Sequence, residues 1–306
     1  MKQRILYMMG TVIDLQVETE QESILDELEE QLKIYEHRFS ANASDSELMA
    51  INHQAGKQGV KVHPELFELI QLGKTHSLSP NSFLNIAIGP LIQKWRIGFD
   101  DAKELEVEEV AGLLKLTDPN KIQLDEDTQS VFLEEEGMSI DLGSLAKGYI
   151  TDSLIQWLKK HHISRSFINL GGNLKVLGPS NREDERWRIG IQDPFSLRGE
   201  LRAIVSVKEE SVVTSGIYER KLKVGEKTYH HIFNPTTGFP IETNILSLTI
   251  VSPKSVDGEI WTTKLFGEQP DKIIEVVESV PEIECLIVTK TGIKTSRGLA
   301  NRVTIL

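Results

Sequence analysis

The spacing of apolar residues changes along the chain, and these changes predict where strands and helices lie. Residues 3–17 are predicted to be strand, broken at Gly10-Thr11. After the break, Ile13, Leu15 and Val17 alternate with polar residues, which is the period of a strand with one buried face. Residues 20–38 instead carry apolar residues at helical spacing on a strongly acidic background. Similar spacing predicts helices over 64–77, 104–114 and 147–160, and shorter helices after Ser46 and within 85–95.

Strands dominate the prediction from residue 164 onward. Two helices are expected among them, over 255–266 and 270–280, and a hairpin is expected earlier, within 121–140. Because the strands do not alternate regularly with helices, the pattern favours an α+β fold over a doubly wound parallel sheet. The predicted strands are 166–170, 174–178, 187–191, 201–207, 211–216, 228–233, 246–252, 285–290, 292–296 and 302–306.

The composition is that of an ordinary soluble globular protein. Of 306 residues, 39 % are hydrophobic and 26 % are charged, which suffices for a sizeable core and predicts two domains or one large one. The net charge of −12 argues against a nucleic-acid partner, because nucleic-acid backbones are bound mainly by lysine and arginine. The single cysteine, Cys285, lies in an apolar run and is expected to be a buried, inert thiol.

Membrane and export signals are not apparent in the sequence. No segment approaches the roughly 18–20 consecutive apolar residues that cross a membrane. The first residues (MKQRILYMMGTVIDLQV) lack the long apolar run, the small-residue cleavage site and the lipid-attachable cysteine of exported proteins. We therefore expect no stable membrane insertion and, for the chain as it stands, a cytoplasmic location, with a removed signal segment left open.

Two glycine-containing turns are candidates for binding phosphate. The segment Asp141–Gly148 is predicted to be a strand end, a turn and a helix start near Lys147, and backbone N–H groups at a helix start bind anions. Gly171 and Gly172, within Asn169–Asn173, follow a predicted strand and permit positive φ or the close approach of a ligand. On spacing alone, a plain strand–turn–helix connection and a tight turn are the better interpretations.

Two adjacent histidines, His230 and His231, precede an Asn-Pro-Thr-Thr-Gly turn at 234–238. A histidine with a near-neutral pKa can take a proton from a hydroxyl nucleophile. Because neighbouring side chains of a strand face opposite sides, only one of the two is expected to line a pocket, and the other to be structural. For either histidine, a half-buried position in a sheet is an equally good interpretation.

The predicted helix that begins at Ser255 carries a possible metal site. Glu259 and Thr263 lie four residues apart on one helix face, and a carboxylate beside a hydroxyl suits a hard cation such as Mg²⁺. One residue of helix register decides whether Thr262 or Thr263 faces the metal, and the spacing favours Thr263. The simpler interpretation is a helix terminus in which Asp257 is the cap and Glu259 lies in the first turn.

Taken in order, these segments resemble the ApbE family of FAD:protein FMN transferases. The resemblance runs along nearly the whole chain, and the ordered set is specific although each piece alone is weak. It rests on Met9–Thr11, Arg38–Ser40, Ser46–Leu48, Asn52, Phe83–Trp95, Asp141–Gly148, Asp152, Asn169–Asn173, Trp187–Ile191, Asp193-Pro194, Ser215–Arg220, His231–Pro240 and Ser255–Phe266.

The resemblance implies an ApbE-like (T-fold-like) α+β fold of mixed, mainly antiparallel sheets with packed helices. Residues 1–306 would form one catalytic unit of two intertwined subdomains, with FAD between the two halves. The implied FAD contacts are Met9, Asn42, Asp141, Ser144, Lys147, Asn169, Gly171, Gly172, Ser215, Gly216, His231, Pro235, Thr237 and Gly238.

The resemblance also implies a mechanism. A magnesium ion would be held by the main-chain oxygen of Ser144 and the side chains of Glu259 and Thr263, and would polarise the pyrophosphate of FAD. His231 would be the general base that activates a threonine in a short loop of an acceptor flavoprotein, such as a subunit of a redox pump or a reductase. FMN would then be transferred to that threonine, and AMP would be released.

Three residues depart from the family pattern. Glu259 stands where the family usually has aspartate, and Ser144 stands where alanine is frequent. Asn42 stands where an aromatic residue often stacks on the flavin. Because the absence of that aromatic residue would admit water to the phosphorus of FAD, an FAD pyrophosphatase that releases FMN and AMP is one alternative function. A non-catalytic FAD-binding protein is the other.

Overall fold

The structure, a computed structural model, describes residues 1–306 as sixteen strands and eight helices. None of the eight helices is both long and apolar enough to cross a membrane. The helices are α1 (Ser23–Phe39), α2 (Glu47–His53), α3 (Pro64–Ser77), α4 (Gly89–Trp95), α5 (Val107–Leu114), α6 (Ala146–Lys160), α7 (Ser255–Leu265) and α8 (Pro270–Glu278). The strands are β1 (Lys2–Met8), β2 (Thr11–Val17), β3 (Val60–Lys61), β4 (Ile122–Asp125), β5 (Ser130–Leu133), β6 (Ser166–Leu170), β7 (Asn173–Leu177), β8 (Trp187–Gln192), β9 (Leu201–Val207), β10 (Ser211–Gly216), β11 (Lys221–Val224), β12 (Lys227–His230), β13 (Ile245–Ser252), β14 (Glu284–Thr289), β15 (Gly292–Thr295) and β16 (Val303–Ile305).

An eight-stranded sheet forms the centre of the molecule, in the spatial order β1-β2-β6-β7-β10-β13-β14-β15. Every neighbouring pair in it is antiparallel. Two three-stranded sheets, β16-β9-β8 and β3-β5-β4, and the hairpin β11-β12 complete the strand pairing. The predicted α+β fold with mainly antiparallel sheets is therefore confirmed.

The hairpin of β1 and β2 opens the central sheet. Its turn residues Met9 and Gly10 have φ of 54° and 68°, the left-handed conformation that a type I′ hairpin turn requires at both positions. In β2, Ile13, Leu15 and Val17 are completely buried, as the strict alternation of the sequence predicts. One face of β2 is therefore buried in the core, and the turn of the hairpin lies at the end of the sheet.

Different layers cover the two faces of the central sheet. On one face, apolar residues of α1, α3 and α6 pack with those of β2 and β6 in the largest core. Farther along the same sheet, Leu248 and Ile250 of β13 pack with α7 and α8. The neighbouring residue Val251 points to the opposite face, where it packs against β8 and β9. Strand β13 is consequently buried along its whole length.

Helix α7 is capped by a side chain from α6. The residue before the helix, Lys254, provides no side-chain cap. The two carboxylate oxygens of Asp152 accept hydrogen bonds from the backbone N–H groups of Ser255 and Val256, both at 2.9 Å. Lys175 Nζ donates to the same carboxylate at 2.7 Å. A side chain about one hundred residues away in sequence therefore satisfies the orphan N–H groups of this helix start.

This arrangement corrects the simpler interpretation of the α7 segment. Because α7 begins at Ser255, Asp257 already lies inside the helix and is not its cap, and Glu259 lies in the second turn. Asp257 is half-buried, and that burial raises the pKa of its carboxyl group. The position of Glu259 consequently needs an explanation other than the helix terminus.

Most predicted elements are present in the structure, with ends that differ by up to three residues. The helix predicted over 64–77 is α3, residue for residue. The strand predicted over 228–233 ends at His230, so His231 lies outside the sheet. Strand β11 was not predicted, because its sequence, KLKV, is largely exposed and charged and lacks the alternation of a half-buried strand.

Replacing Asp152 with alanine removes the cap of α7 and leaves Lys175 without its carboxylate partner. We expect the free energy of unfolding to fall by about 1–3 kcal/mol, because two backbone donors and a half-buried cation lose their acceptor. Urea denaturation measures this change, with the exposed Asp127→Ala as the control. Asp152→Asn should recover part of the loss, and an unchanged midpoint for Asp152→Ala would contradict this account of the cap.

Candidate functional site

A cavity of about 920 Å³ opens where the β1–β2 turn, the start of α6, α7 and the segment after β10 meet. Residues from segments far apart in sequence form its wall, because the antiparallel sheet brings several loops to the same end. The sequence-predicted site residues that line it are Met9, Asn42, Asp141, Ser144, Lys147, Gly171, Gly172, Ser215, Gly216, His231, Glu259 and Thr263.

Four of the predicted FAD-contacting residues, Asn169, Pro235, Thr237 and Gly238, do not line this cavity. Asn169 Oδ1 accepts a hydrogen bond from the Gly172 N–H at 3.1 Å. It therefore holds the glycine turn that does reach the cavity.

The turn that contains Pro235, Thr237 and Gly238 packs against α4 and α5. The carbonyl oxygen of Gly238 accepts a hydrogen bond from Trp95 Nε1 at 3.2 Å. A Cβ atom on Gly238, which has φ of 74°, would lie 2.5 Å from Val110 Cγ1. The structure thus gives this turn a packing role, and the sequence pattern alone did not distinguish that role from ligand contact.

The loop before α6 is fixed from a distance by Asn52. Its side chain donates to the Ile140 carbonyl at 3.0 Å and accepts from the Ile140 N–H at 2.8 Å. Just after this anchor, Asp141 Oδ1 accepts from the Gly143 N–H at 2.8 Å, which closes the turn. Burial raises the pKa of the Asp141 carboxyl group. No side chain caps the start of α6, and Ala146 and Lys147 of its first turn line the cavity.

The most buried charge of the cavity wall is the carboxylate of Glu259, which is only 4 % exposed. Its Oε1 accepts a hydrogen bond from Asn173 Nδ2 at 2.9 Å and lies 3.3 Å from Lys147 Nζ. Asn173 Oδ1 in turn accepts from Thr151 Oγ1 at 2.9 Å and from Ser255 Oγ at 2.6 Å. Two hydroxyl donors on one side of the Asn173 amide orient its N–H₂ group toward Glu259.

Two glycines let α7 approach its neighbours closely enough to form this network. A Cβ on Gly148 of α6 would lie 2.6 Å from Val256 Cα and 2.8 Å from Glu259 Cγ. A Cβ on Gly258 would overlap the side chain of Val213 in β10. Since real Cβ atoms do not come this close, any larger residue would push α7 away. The glycines therefore bring Lys147 and Glu259 together.

The structure also separates the two threonines of α7. Thr262 is completely buried, and its hydroxyl donates to the Glu259 carbonyl at 3.1 Å. Both threonines line the cavity, but the Thr263 hydroxyl makes no hydrogen bond within the protein. Of the two, Thr263 has the free oxygen, on the same helix face as Glu259.

The two histidines have different environments. His230 is buried, its Nε2 bonds to the Ile241 carbonyl at 2.8 Å, and its Nδ1 accepts from the Ile232 N–H at 3.2 Å, so it is structural. His231 lines the cavity, and its buried Nδ1 has no hydrogen-bond partner. Burial, with a smaller effect from the charge of Arg220, lowers the pKa of His231 to about 3. The imidazole is therefore neutral at physiological pH.

Some residues of this site had no assigned role in the sequence prediction. Asn173 and Asp152 lie within motifs that the prediction used, yet their contacts join segments distant in sequence, which spacing does not reveal. Two arginines of the cavity wall, Arg96 and Arg220, were also given no role, although Arg220 ends the Ser215–Arg220 segment of the family resemblance.

Comparison with known proteins gives a consistent family. A family model described as ApbE family matches residues 9–287. An FAD:protein FMN transferase of Klebsiella pneumoniae (strain 342) is 38 % identical over 283 residues, which cover 92 % of this chain and 87 % of the relative. Another of Treponema pallidum (strain Nichols) is 32 % identical over 295 residues, which cover 92 % of this chain and 82 % of the relative.

Solved structures show the same fold. The crystal structure of the ApbE protein from Thermotoga maritima matches with a TM-score of 0.88 and 25 % identity, and the match covers 98 % of each chain. The flavin transferase ApbE from Vibrio cholerae matches with a TM-score of 0.82 and 23 % identity, over 98 % of this chain and 99 % of that one.

The low pKa of His231 makes a prediction about stability and pH. In the unfolded chain the pKa of a histidine is near 6.5, so the unfolded state binds this proton more tightly than the folded state. The contribution of the neutral His231 to the free energy of unfolding is therefore fully present above that pKa and is lost as the pH falls toward about 3. The variant His231→Gln does not lose stability in this way, because glutamine does not titrate. Between pH 7 and pH 5, its free energy of unfolding should gain about 1–2 kcal/mol relative to the wild type.

Urea denaturation at several pH values measures this difference. The exposed His53, replaced in the same way by glutamine, is the control because it lies outside the cavity. Parallel pH profiles for wild type and His231→Gln would contradict the lowered pKa.

Proposed function

This chain belongs to the ApbE family, and we propose that it is a magnesium-dependent FAD:protein FMN transferase. It moves FMN from FAD to a threonine hydroxyl of an acceptor flavoprotein and releases AMP. The observation that carries this proposal is the arrangement of Glu259, Lys147, Thr263 and His231 around one cavity. The cavity is large enough for an extended substrate, and its wall combines a buried carboxylate, a cation, a free hydroxyl and a neutral imidazole.

The donor set fits magnesium. The chain has no group of three or more His, Cys, Asp or Glu side chains that could hold a metal by themselves. Magnesium is commonly held by one or two carboxylates together with substrate phosphates and water. Glu259, the Thr263 hydroxyl and the main-chain oxygen of Ser144 would hold the ion, all through oxygen. When bound, the ion would supply positive charge that stabilises the negative charge developing at the phosphates.

Lys147 and the start of α6 would bind and orient the pyrophosphate of FAD. The Lys147 ammonium is 3.3 Å from Glu259 Oε1 and also lines the cavity, so its flexible stem can carry the charge to a phosphate oxygen. The uncapped N–H groups of α6 sit at the positive end of the helix dipole. Both features favour a dianionic substrate at this end of the cavity.

His231 would take the proton of the acceptor threonine. The threonine oxygen forms a bond to the FMN phosphorus, the bond from that phosphorus to the bridging oxygen breaks, and AMP leaves with the electron pair. A neutral imidazole is in the protonation state that this step needs. The negative charge of a bound pyrophosphate would raise the pKa of the imidazole and so make it a stronger base.

FAD hydrolysis is the second candidate function, and it is favoured by Asn42. This residue is exposed at the cavity wall, where an aromatic side chain would cover the flavin. The backbone N–H of Asn42 donates to Ser40 Oγ at 3.1 Å, which fixes the loop but leaves the side chain free. Water can therefore enter beside it and take the place of the threonine hydroxyl.

The two functions separate when an acceptor protein is supplied. We expect purified protein, FAD and magnesium to add one FMN phosphoester to a threonine-bearing acceptor domain, because the neutral His231 can activate the hydroxyl. Intact-mass spectrometry of the acceptor measures the product. EDTA should abolish it, and an acceptor with alanine in place of the threonine is the matched control. Free FMN and AMP with several unmodified acceptors would instead support the pyrophosphatase.

Three substitutions test the catalytic assignment. We expect His231→Ala, Glu259→Gln and Thr263→Ala to lower the initial rate by about 100-fold or more, because each removes a general base or a metal ligand. Flavin fluorescence measures whether each variant still binds FAD. Exposed residues outside the cavity provide matched controls, His53→Ala and Glu242→Gln, which should retain the wild-type rate. Near-wild-type turnover in all three site variants would contradict the catalytic assignment of these residues.

A further inference from the structure

Four cationic side chains line the cavity, and they differ in whether a carboxylate already neutralises them. Lys147 is paired with Glu259, and Arg96 donates to Asp101 at 2.7 Å while it lies over the Phe99 ring. Arg220 and Arg198 form no ion pair and no side-chain hydrogen bond in the structure. Two guanidinium groups therefore remain available to an anionic ligand.

Arg220 is the one held in a built position. A Cβ on Gly98 would lie 2.8 Å from Arg220 Cδ, and a Cβ on Gly10 would lie 3.2 Å from Arg220 Nη2. Both glycines have positive φ, 98° and 68°, so two separate turns pass close to the arginine stem and its head. A side chain on either glycine would crowd the arginine, which is itself exposed.

The same end of the cavity carries the proposed chemistry. The charge of Arg220 contributes, after burial, to the low pKa of His231, and it partly offsets the effect of burial on the pKa of Asp141. Both effects require the guanidinium to be near these two residues. Arg198 has no comparable effect on either, and it lies on the exposed segment after Asp193.

We propose that Arg220 binds the diphosphate of the flavin dinucleotide and so makes the cavity selective for phosphorylated flavins over riboflavin. This inference rests on the proposed function, because it takes FAD as the substrate. A planar guanidinium can donate two parallel hydrogen bonds to phosphate oxygens, and Arg220 has all of its donors free. With Lys147 on the α6 side, the diphosphate is bound by cations from two separate segments.

The test compares FAD and riboflavin, which share the isoalloxazine ring but not the phosphates. Quenching of flavin fluorescence gives the Kd of each for wild type, Arg220→Ala, Arg220→Lys and the control Arg182→Ala, all with EDTA present. We expect Arg220→Ala to lower the ratio of the riboflavin Kd to the FAD Kd by about 10- to 100-fold. Arg220→Lys should lower it less, and Arg182→Ala should leave it unchanged, because Arg182 is exposed and lies outside the cavity.

A ratio equal to that of the wild type in Arg220→Ala would overturn the inference, whether both affinities stay the same or fall together. Because Arg220 is exposed, all variants are expected to fold, and circular dichroism checks this. Wild type that binds both flavins but transfers no FMN would contradict the proposed function and not the role of Arg220. Wild type that binds neither flavin would overturn both.

Discussion

A carboxylate enclosed between α6, α7 and the central sheet constrains the whole end of the molecule where the cavity lies. An ionised group can be buried only when hydrogen bonds and an opposite charge compensate for the lost water. For Glu259 these are the Asn173 amide and the Lys147 ammonium, and Asn173 is itself fixed by Thr151 and Ser255. The same side chains therefore determine both the packing of the core and the geometry of the site.

The charge distribution around the cavity follows from this arrangement. The cations come from different segments, whereas the neutral imidazole of His231 is kept uncharged by burial and by the nearby Arg220. Such a wall attracts a polyanion and still presents a base, which a protonated histidine could not do. The wall also carries four acidic residues, Glu36, Asp141, Glu219 and Glu259, so the attraction of a polyanion depends on where the cations lie and not on a net positive wall.

The sequence was a good guide where a local signal defines the structure. Pro64 at the first turn and helical spacing up to Ser77 define α3, and strict alternation defines β2. It was a poor guide where the deciding contact is distant. The strand predicted to include His231 ends at His230, because that ring bonds to Ile241 across the following turn.

The residues of the site also divide into those that a local motif predicted and those that distant contacts determine. The motifs around Lys147, Gly171 and Glu259 were found from local order along the chain, and the structure brings them to one cavity. Asn173 and Asp152 make hydrogen bonds to residues that lie 86 and 103 positions away, respectively. Arg220 lies close to two glycines that precede it by more than one hundred residues. Spacing within a segment contains no information about such contacts.

The glutamate at position 259, where the family resemblance leads one to expect aspartate, is accommodated by the same packing. Its Cγ lies next to Gly148, and a Cβ at residue 148 would lie only 2.8 Å from it. The glycine thus leaves room for the stem of the side chain, while Asn173 holds its end in place. A glutamate fixed at both its stem and its head has lost most of the freedom that would otherwise make it a looser ligand than aspartate. The departure from the family pattern is therefore compatible with an ordered oxygen donor at the cavity wall.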